Sequence, residues 1–176
     1  MLNDTVSGYN ARIAGKGFTP WARWVDRNNI PGIMYPGVYC ITISEEDISG
    51  REFSWIPEIK YIGMTVSKGG LKNRLKQFDT TMRGGEGHGG AYRFRRKHQD
   101  PQELEKVLCV SVCSFPCGRN KKSAEDLRIM GQVVGFEYDC FAEYVERFGK
   151  RPEFLDEENS PKDIQRSRKK AEAHDF

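Results

Sequence analysis

Between Val38 and Ser44 the chain reads VYCITIS, a β-branched run in which Tyr39, Ile41 and Ile43 share one face of a strand. A second strand is predicted over EIKYIG, ending at Gly63, after the polar connection EEDISGRE. Strand, polar turn and strand in succession predict an antiparallel hairpin. KVLCVSVCSF, from Lys106 to Phe115, predicts a further strand. Helical periodicity replaces alternation in GLKNRLKQF, from Gly70 to Phe78. Thr19-Pro20 reads as a helix start, cap followed by proline, for a short helix carrying Trp21, Trp24 and Val25. Ser123 with Asp126 predicts a capping box for a later helix. Gly135 is expected to break that helix, and a second one follows from about Phe136 to Arg147 with Gly149 at its exit. GGEGHGG, Gly84 to Gly90, predicts a mobile loop, whereas AYRFRRKH fits strand or helix equally.

A helical projection singles out two charges. With Leu71 at zero and about 100° per residue, Leu75 falls near about 40° and Phe78 near about −20°, while Arg74 lies at the edge of that stripe at about −60°. In the helix from Phe136, Phe141, Tyr144 and Phe148 all fall within about 40° of Glu137. A carboxylate inside an apolar stripe is costly unless it is paired or holds a metal. Either Arg74 and Glu137 serve the structure at the core rim, or they serve a site.

Composition narrows the classes. The 176 residues are 38% hydrophobic and carry a formal net charge of +3, so neither wholesale disorder nor strong bulk attraction to nucleic acid is expected. Basic residues cluster locally, at Arg93, Arg95, Arg96 and Lys97 and at Arg119, Lys121 and Lys122. The longest apolar runs are too short to span a membrane, and MLNDTVSGYNARIAGKG lacks the apolar centre of a secretion signal. Five cysteines suit a reducing, cytoplasmic setting better than a disulfide framework. Cys109, Cys113 and Cys117 lack the close paired spacing of a zinc ribbon. The glycine loop lacks the Lys-Ser/Thr of a nucleotide-binding loop.

Taken in order, Gly37-Val38-Tyr39, Tyr61-Ile62-Gly63, Arg74 eleven residues later and Glu137 in a late helix resemble the GIY-YIG endonuclease superfamily. The resemblance covers about Gly37 to Leu155, with Val replacing Ile in the first motif. It implies an α+β fold, a small central antiparallel sheet of about three strands flanked by helices. The chain then divides into an N-terminal arm with a short helix (1–36), a nuclease-like domain (37–155) and a polar tail (156–176). It also implies metal-dependent hydrolysis of DNA phosphodiesters. Glu137 would hold Mg²⁺ or Mn²⁺, Arg74 would neutralise phosphate, Tyr39 would take or relay the proton of the attacking water, and Tyr61 would hydrogen-bond beside it.

Two positions depart from the family pattern. Phe78 stands where many members carry His or Tyr one turn after the arginine, which leaves His88 or Tyr92 to supply the missing group. Leu155 stands where many have asparagine, with Asp156 or Asn159 as substitutes. Glu143 rivals Glu137 for the metal, but the projection turns it to solvent. The two basic clusters are the expected DNA-backbone contacts. A homodimer or a protein partner would supply specificity. The departures also keep open a catalytically weak or silent nucleic-acid-binding module with the same fold. A protein-interaction domain presenting Trp21 and Trp24 is the third alternative.

Overall fold

The computed structural model describes residues 15, 17–118 and 123–155. Its strands are β1 (Ala22–Arg23), β2 (Gly37–Ile43), β3 (Ile59–Thr65) and β4 (Leu108–Ser114). They form one antiparallel sheet in the order β1-β4-β2-β3. Its helices are α1 (Gly70–Met82), α2 (Gly89–Lys97), α3 (Pro101–Val107) and α4 (Ala124–Phe148). The α+β class and flanking helices agree with expectation, and the sheet has four strands because the segment before β2 adds a short edge. Among the described residues no helix is long and apolar enough to cross a membrane.

Alternation along the strands builds two cores, one on each face of the sheet. Tyr39, Ile41, Tyr61, Val110 and Val112 face α1, α2 and α3 through Leu71, Leu75, Phe78, Phe94 and Leu104. Val38, Cys40, Ile62, Cys109 and Cys113 face α4 through Val133, Phe136, Cys140 and Tyr144. The Tyr144 hydroxyl donates to the carbonyls of Pro57 (2.9 Å) and Ile59 (3.2 Å), pinning α4 to the start of β3.

Three local expectations are corrected. Thr19-Pro20 does not start a helix: the Thr19 N–H donates to the Val112 carbonyl, and its hydroxyl accepts from the Val112 N–H. This pairing extends the chain beside β4, and only Trp24–Asn29 coils, as a 3-10 helix. Gly135 does not break α4, which runs unbroken through it because the helix on both sides is anchored by buried Val133, Phe136 and Cys140. The expected Ser123–Asp126 capping box is present, and Gly149 ends the helix in the left-handed region at φ 68°. The glycine-rich stretch is a loop only as far as His88. Gly89 and Gly90 form the first turn of α2, which resolves AYRFRRKH as helix.

A polar network ties the N-terminal segment to α1. Asp79 accepts from the Trp24 indole (2.8 Å) and pairs with Arg27 and Arg83, each at 3.1 Å. Arg83 also reaches Glu105 at 2.7 Å. Arg27 and Asp79 are only 13% and 16% exposed, and the Arg27 charge relies on Asp79.

Candidate active site

Gly63 explains why the second motif joins a tyrosine to a glycine, whereas Gly37 in the first makes room for the Cys113 carbonyl, 2.2 Å from where its Cβ would lie. β2 and β3 pair Tyr39 with Gly63 and Ile41 with Tyr61, which puts both phenols on one face. A Cβ at Gly63 would lie 2.6 Å from the Tyr61 ring and 2.7 Å from the Tyr39 hydroxyl oxygen. The missing side chain is the space in which the two rings meet, their centroids 5.9 Å apart. Gly90 does the same from above: its absent Cβ would sit 2.5 Å from the Tyr61 ring. Gly90 therefore lets the first turn of α2 close over Tyr61.

His88 is the residue that closure delivers. It caps α2, with Nδ1 accepting the Ala91 N–H at 3.3 Å. Its Nε2 lies 2.8 Å from the Tyr39 hydroxyl, and its ring stands edge-on to Phe78 at 4.9 Å. Because Nδ1 is occupied as an acceptor, the neutral ring carries its proton on Nε2. His88 therefore donates to the Tyr39 oxygen and takes no proton from it. Burial, then the charges of Arg74 and Arg93, lower its pKa from 6.5 to about 3, so the ring is neutral at pH 7. Of the two candidates for the group absent at Phe78, His88 reaches the tyrosines. Tyr92 instead carries Arg95 over its ring.

The phenols are not equivalent. Tyr39 is fully buried, and burial pushes its pKa well above the ordinary value, with Tyr61 raising it further and Arg74 opposing by charge and hydrogen bonding. Tyr61 keeps 8% exposure. Burial raises its pKa too, against the charges of Arg74 and Arg93 and a hydrogen bond from Tyr39. The expectation that Tyr39 takes the proton of the attacking water meets an opposing effect, since desolvation of Tyr39 outweighs the charge of Arg74. Tyr61 is the easier of the pair to ionise.

Arg74 sits where the projection put it, half-buried on α1. One guanidinium nitrogen reaches Gln77 at 3.4 Å, and Nε is buried without a hydrogen-bond partner among the described residues. A buried N–H with no acceptor costs about 1–3 kcal/mol, so this donor calls for an oxygen.

Glu137 also reaches the pair: its charge raises both tyrosine pKa values. It lies at the rim of the α4 contact, half-buried, and not at its centre. The buried stripe runs through Val133, Phe136, Cys140 and Tyr144, about 50–60° from Glu137 on a helical projection. Glu143 is less solvent-facing than expected, at 18% exposure, and it is engaged by Arg147 at 2.6 Å. Neither departure changes which glutamate acts on the tyrosines. No group of three or more His, Cys, Asp or Glu side chains among the described residues forms a ready metal cage.

The first basic cluster divides by role. Arg93 donates to the Phe154 carbonyl at 2.7 Å and faces the site, where its charge acts on His88 and Tyr61. Arg95 holds the glycine loop through the carbonyls of Thr81 (3.3 Å) and Gly85 (3.1 Å). Lys97 pairs with Glu153, and Arg96 is exposed. Charge density in the sequence marked these residues but could not separate them. The expectations on Arg119, Lys121, Lys122, Asp156 and Asn159 lie outside the described residues. Comparison of the chain with family models, curated proteins and solved structures finds no match.

Proposed function

We propose that the protein is a metal-dependent DNA endonuclease whose site is built from Tyr39, Tyr61, Arg74, His88 and Glu137. The observation that carries this reading is the buried Arg74 Nε, without a hydrogen-bond partner among the described residues, beside a pair of phenols on which the Arg74 charge acts. A phosphate oxygen is the acceptor that suits a buried guanidinium best. In this reading Arg74 binds the scissile phosphate and offsets the charge that grows on it in the transition state. Tyr61 orients the attacking water and is the phenol better placed to take its proton. Tyr39, held by His88, donates to the Tyr61 oxygen and steadies it as charge develops. Arg93 adds positive charge beside Tyr61.

Glu137 is the residue that would hold Mg²⁺ or Mn²⁺. A single carboxylate fits such an ion, which commonly keeps several waters and takes substrate phosphate as a further ligand. When bound, the ion supplies Lewis-acid stabilisation of the phosphate and the leaving 3′-oxygen. Arg96, with Arg119, Lys121 and Lys122, would contact the DNA backbone, which accounts for the local charge clustering in a chain of low net charge.

The complete burial of Tyr39 favours a second reading, a DNA-binding module that keeps the fold and has lost turnover. One experiment separates them. Supercoiled, linear, branched and single-stranded DNA are incubated with the protein and Mg²⁺, Mn²⁺ or EDTA, beside Glu137→Ala. The nuclease reading expects cleavage by wild type that EDTA and Glu137→Ala abolish. Salt-dependent binding without cleavage by either protein selects the module.

A further inference from the structure

The long helix α4 carries a second apolar face that the sheet does not use. Core-facing Val133, Phe136, Cys140 and Tyr144 occupy one side. Well round the helix from them lie Leu127, Gly131, Val134, Tyr138 and Val145, with Phe141, half-buried and also packed against the sheet-side core, at the edge of that face. Leu127 is 58% and Tyr138 67% exposed, Val134 and Val145 are also exposed, and a Cβ at Gly131 would meet nothing within 4 Å. The spacing is 4, 3, 4, 3, 4, the seam of a coiled coil, without a polar residue in it. It extends over about 27 Å at 1.5 Å per residue. Long contiguous apolar surfaces of this kind mark interaction sites.

We propose that this face pairs with the same face of a second copy of the chain, the two α4 helices running antiparallel about a two-fold axis near Phe136. Complementarity along the seam selects that arrangement. Antiparallel pairing sets Leu127 against Val145, Gly131 against Phe141 and Val134 against Tyr138, so that each small residue meets a large one. A parallel pair would stack Tyr138 on Tyr138 and leave Gly131 facing Gly131. Charge agrees. Arg128 and Glu146 flank the same edge of the seam, both exposed and without an ion pair among the described residues. Antiparallel packing brings Arg128 of each copy beside Glu146 of the other. Gly135 and Ala142 on that edge let the helices approach closely. Glu137 lies on the other edge, toward the sheet, so the pairing does not draw on the site residues. The inference is independent of the nuclease reading.

Sedimentation velocity on the full chain tests it, from low micromolar to roughly 100 μM. Wild type is expected to dimerise. Val134→Lys and Tyr138→Glu alone should each weaken the dimer at least about tenfold. The double variant should recover it, because the introduced lysine of each copy then faces the introduced glutamate of the other on both sides of the axis. Far-UV circular dichroism checks that each variant is folded. Arg128→Glu, reversed by adding Glu146→Arg, repeats the test at exposed positions. A wild type monomeric throughout, a dimer indifferent to the single variants, or a double variant no better than the singles each overturns the proposal.

Discussion

Replacing Gly63 with alanine is the most direct test of how the two motifs work together. The added Cβ would stand 2.6 Å from Tyr61 Cε1, 2.7 Å from the Tyr39 oxygen and 2.8 Å from Tyr39 Cζ. Ordinary carbon contacts are about 3.5–4.0 Å, so the methyl intrudes by about 1 Å on two rings at once. Neither can yield easily. Tyr39 is fully buried and held at 2.8 Å by His88, and Tyr61 has Gly90 of α2 against its far side. Overpacking of this kind costs about 1–3 kcal/mol. For a domain of this size that is a fall in Tm of about 2–4 °C per kcal/mol. Urea denaturation followed by circular dichroism measures the loss. The ¹⁵N shifts of the His88 ring report whether its contact with Tyr39 survives. A variant with wild-type stability and an unchanged His88 spectrum would refute the packing of both tyrosines across Gly63.

The other perturbations follow from single contacts. His88 has a folded pKa of about 3 against 6.5, so the unfolded chain binds more protons between those values. Stability should be fully present above pH 6.5 and fall as pH drops toward 3, and His88→Gln should flatten that slope in urea titrations across the window. A slope unchanged by the substitution would remove His88 as its source. Asp79→Ala strands the buried Arg27 charge and should cost about 3–5 kcal/mol in denaturant unfolding, whereas a loss within experimental error would mean the network carries no weight. Arg95→Ala frees the carbonyls of Thr81 and Gly85. It should speed hydrogen exchange of the Ala91 amide that His88 caps, and unaltered exchange there would show that Arg95 does not hold the loop.

Much of this arrangement is written locally in the chain. VYCITIS and KYIGMT alternate, and that period alone puts Tyr39 and Tyr61 on one face once β2 and β3 pair. Ser123, Asp126 and Gly149 mark the ends of α4 by side-chain and backbone rules that act within a few residues. Elsewhere tertiary contacts override such rules. Gly135 carries a helix-breaking preference of about 1 kcal/mol, which the buried Val133, Phe136 and Cys140 outweigh. A helix that starts at Phe136 leaves Val133 outside the projection and draws the stripe toward Glu137. Thr19-Pro20 has the chemistry of a helix start, yet Thr19 spends both its N–H and its hydroxyl on β4. His88 was hardest to place, because histidine is not among the favoured N-caps and its bond to Tyr39 spans 49 residues. The available signal is Gly90, two residues on, read as a close-approach point and not only as a flexible joint.

Single-turnover cleavage reads the chemistry proposed for Tyr61, Arg74 and Glu137. Wild type, Tyr61→Phe and Glu137→Ala are compared with Mg²⁺ at protein concentrations that saturate a labelled DNA duplex, with occupancy checked by anisotropy. Removing a proton-transfer group typically costs about 10²–10⁴-fold. A loss of that order is expected for Tyr61→Phe, and loss of detectable cleavage for Glu137→Ala, at equal occupancy. Equal rates in all three proteins, or no cleavage by wild type on fully bound DNA, would contradict it.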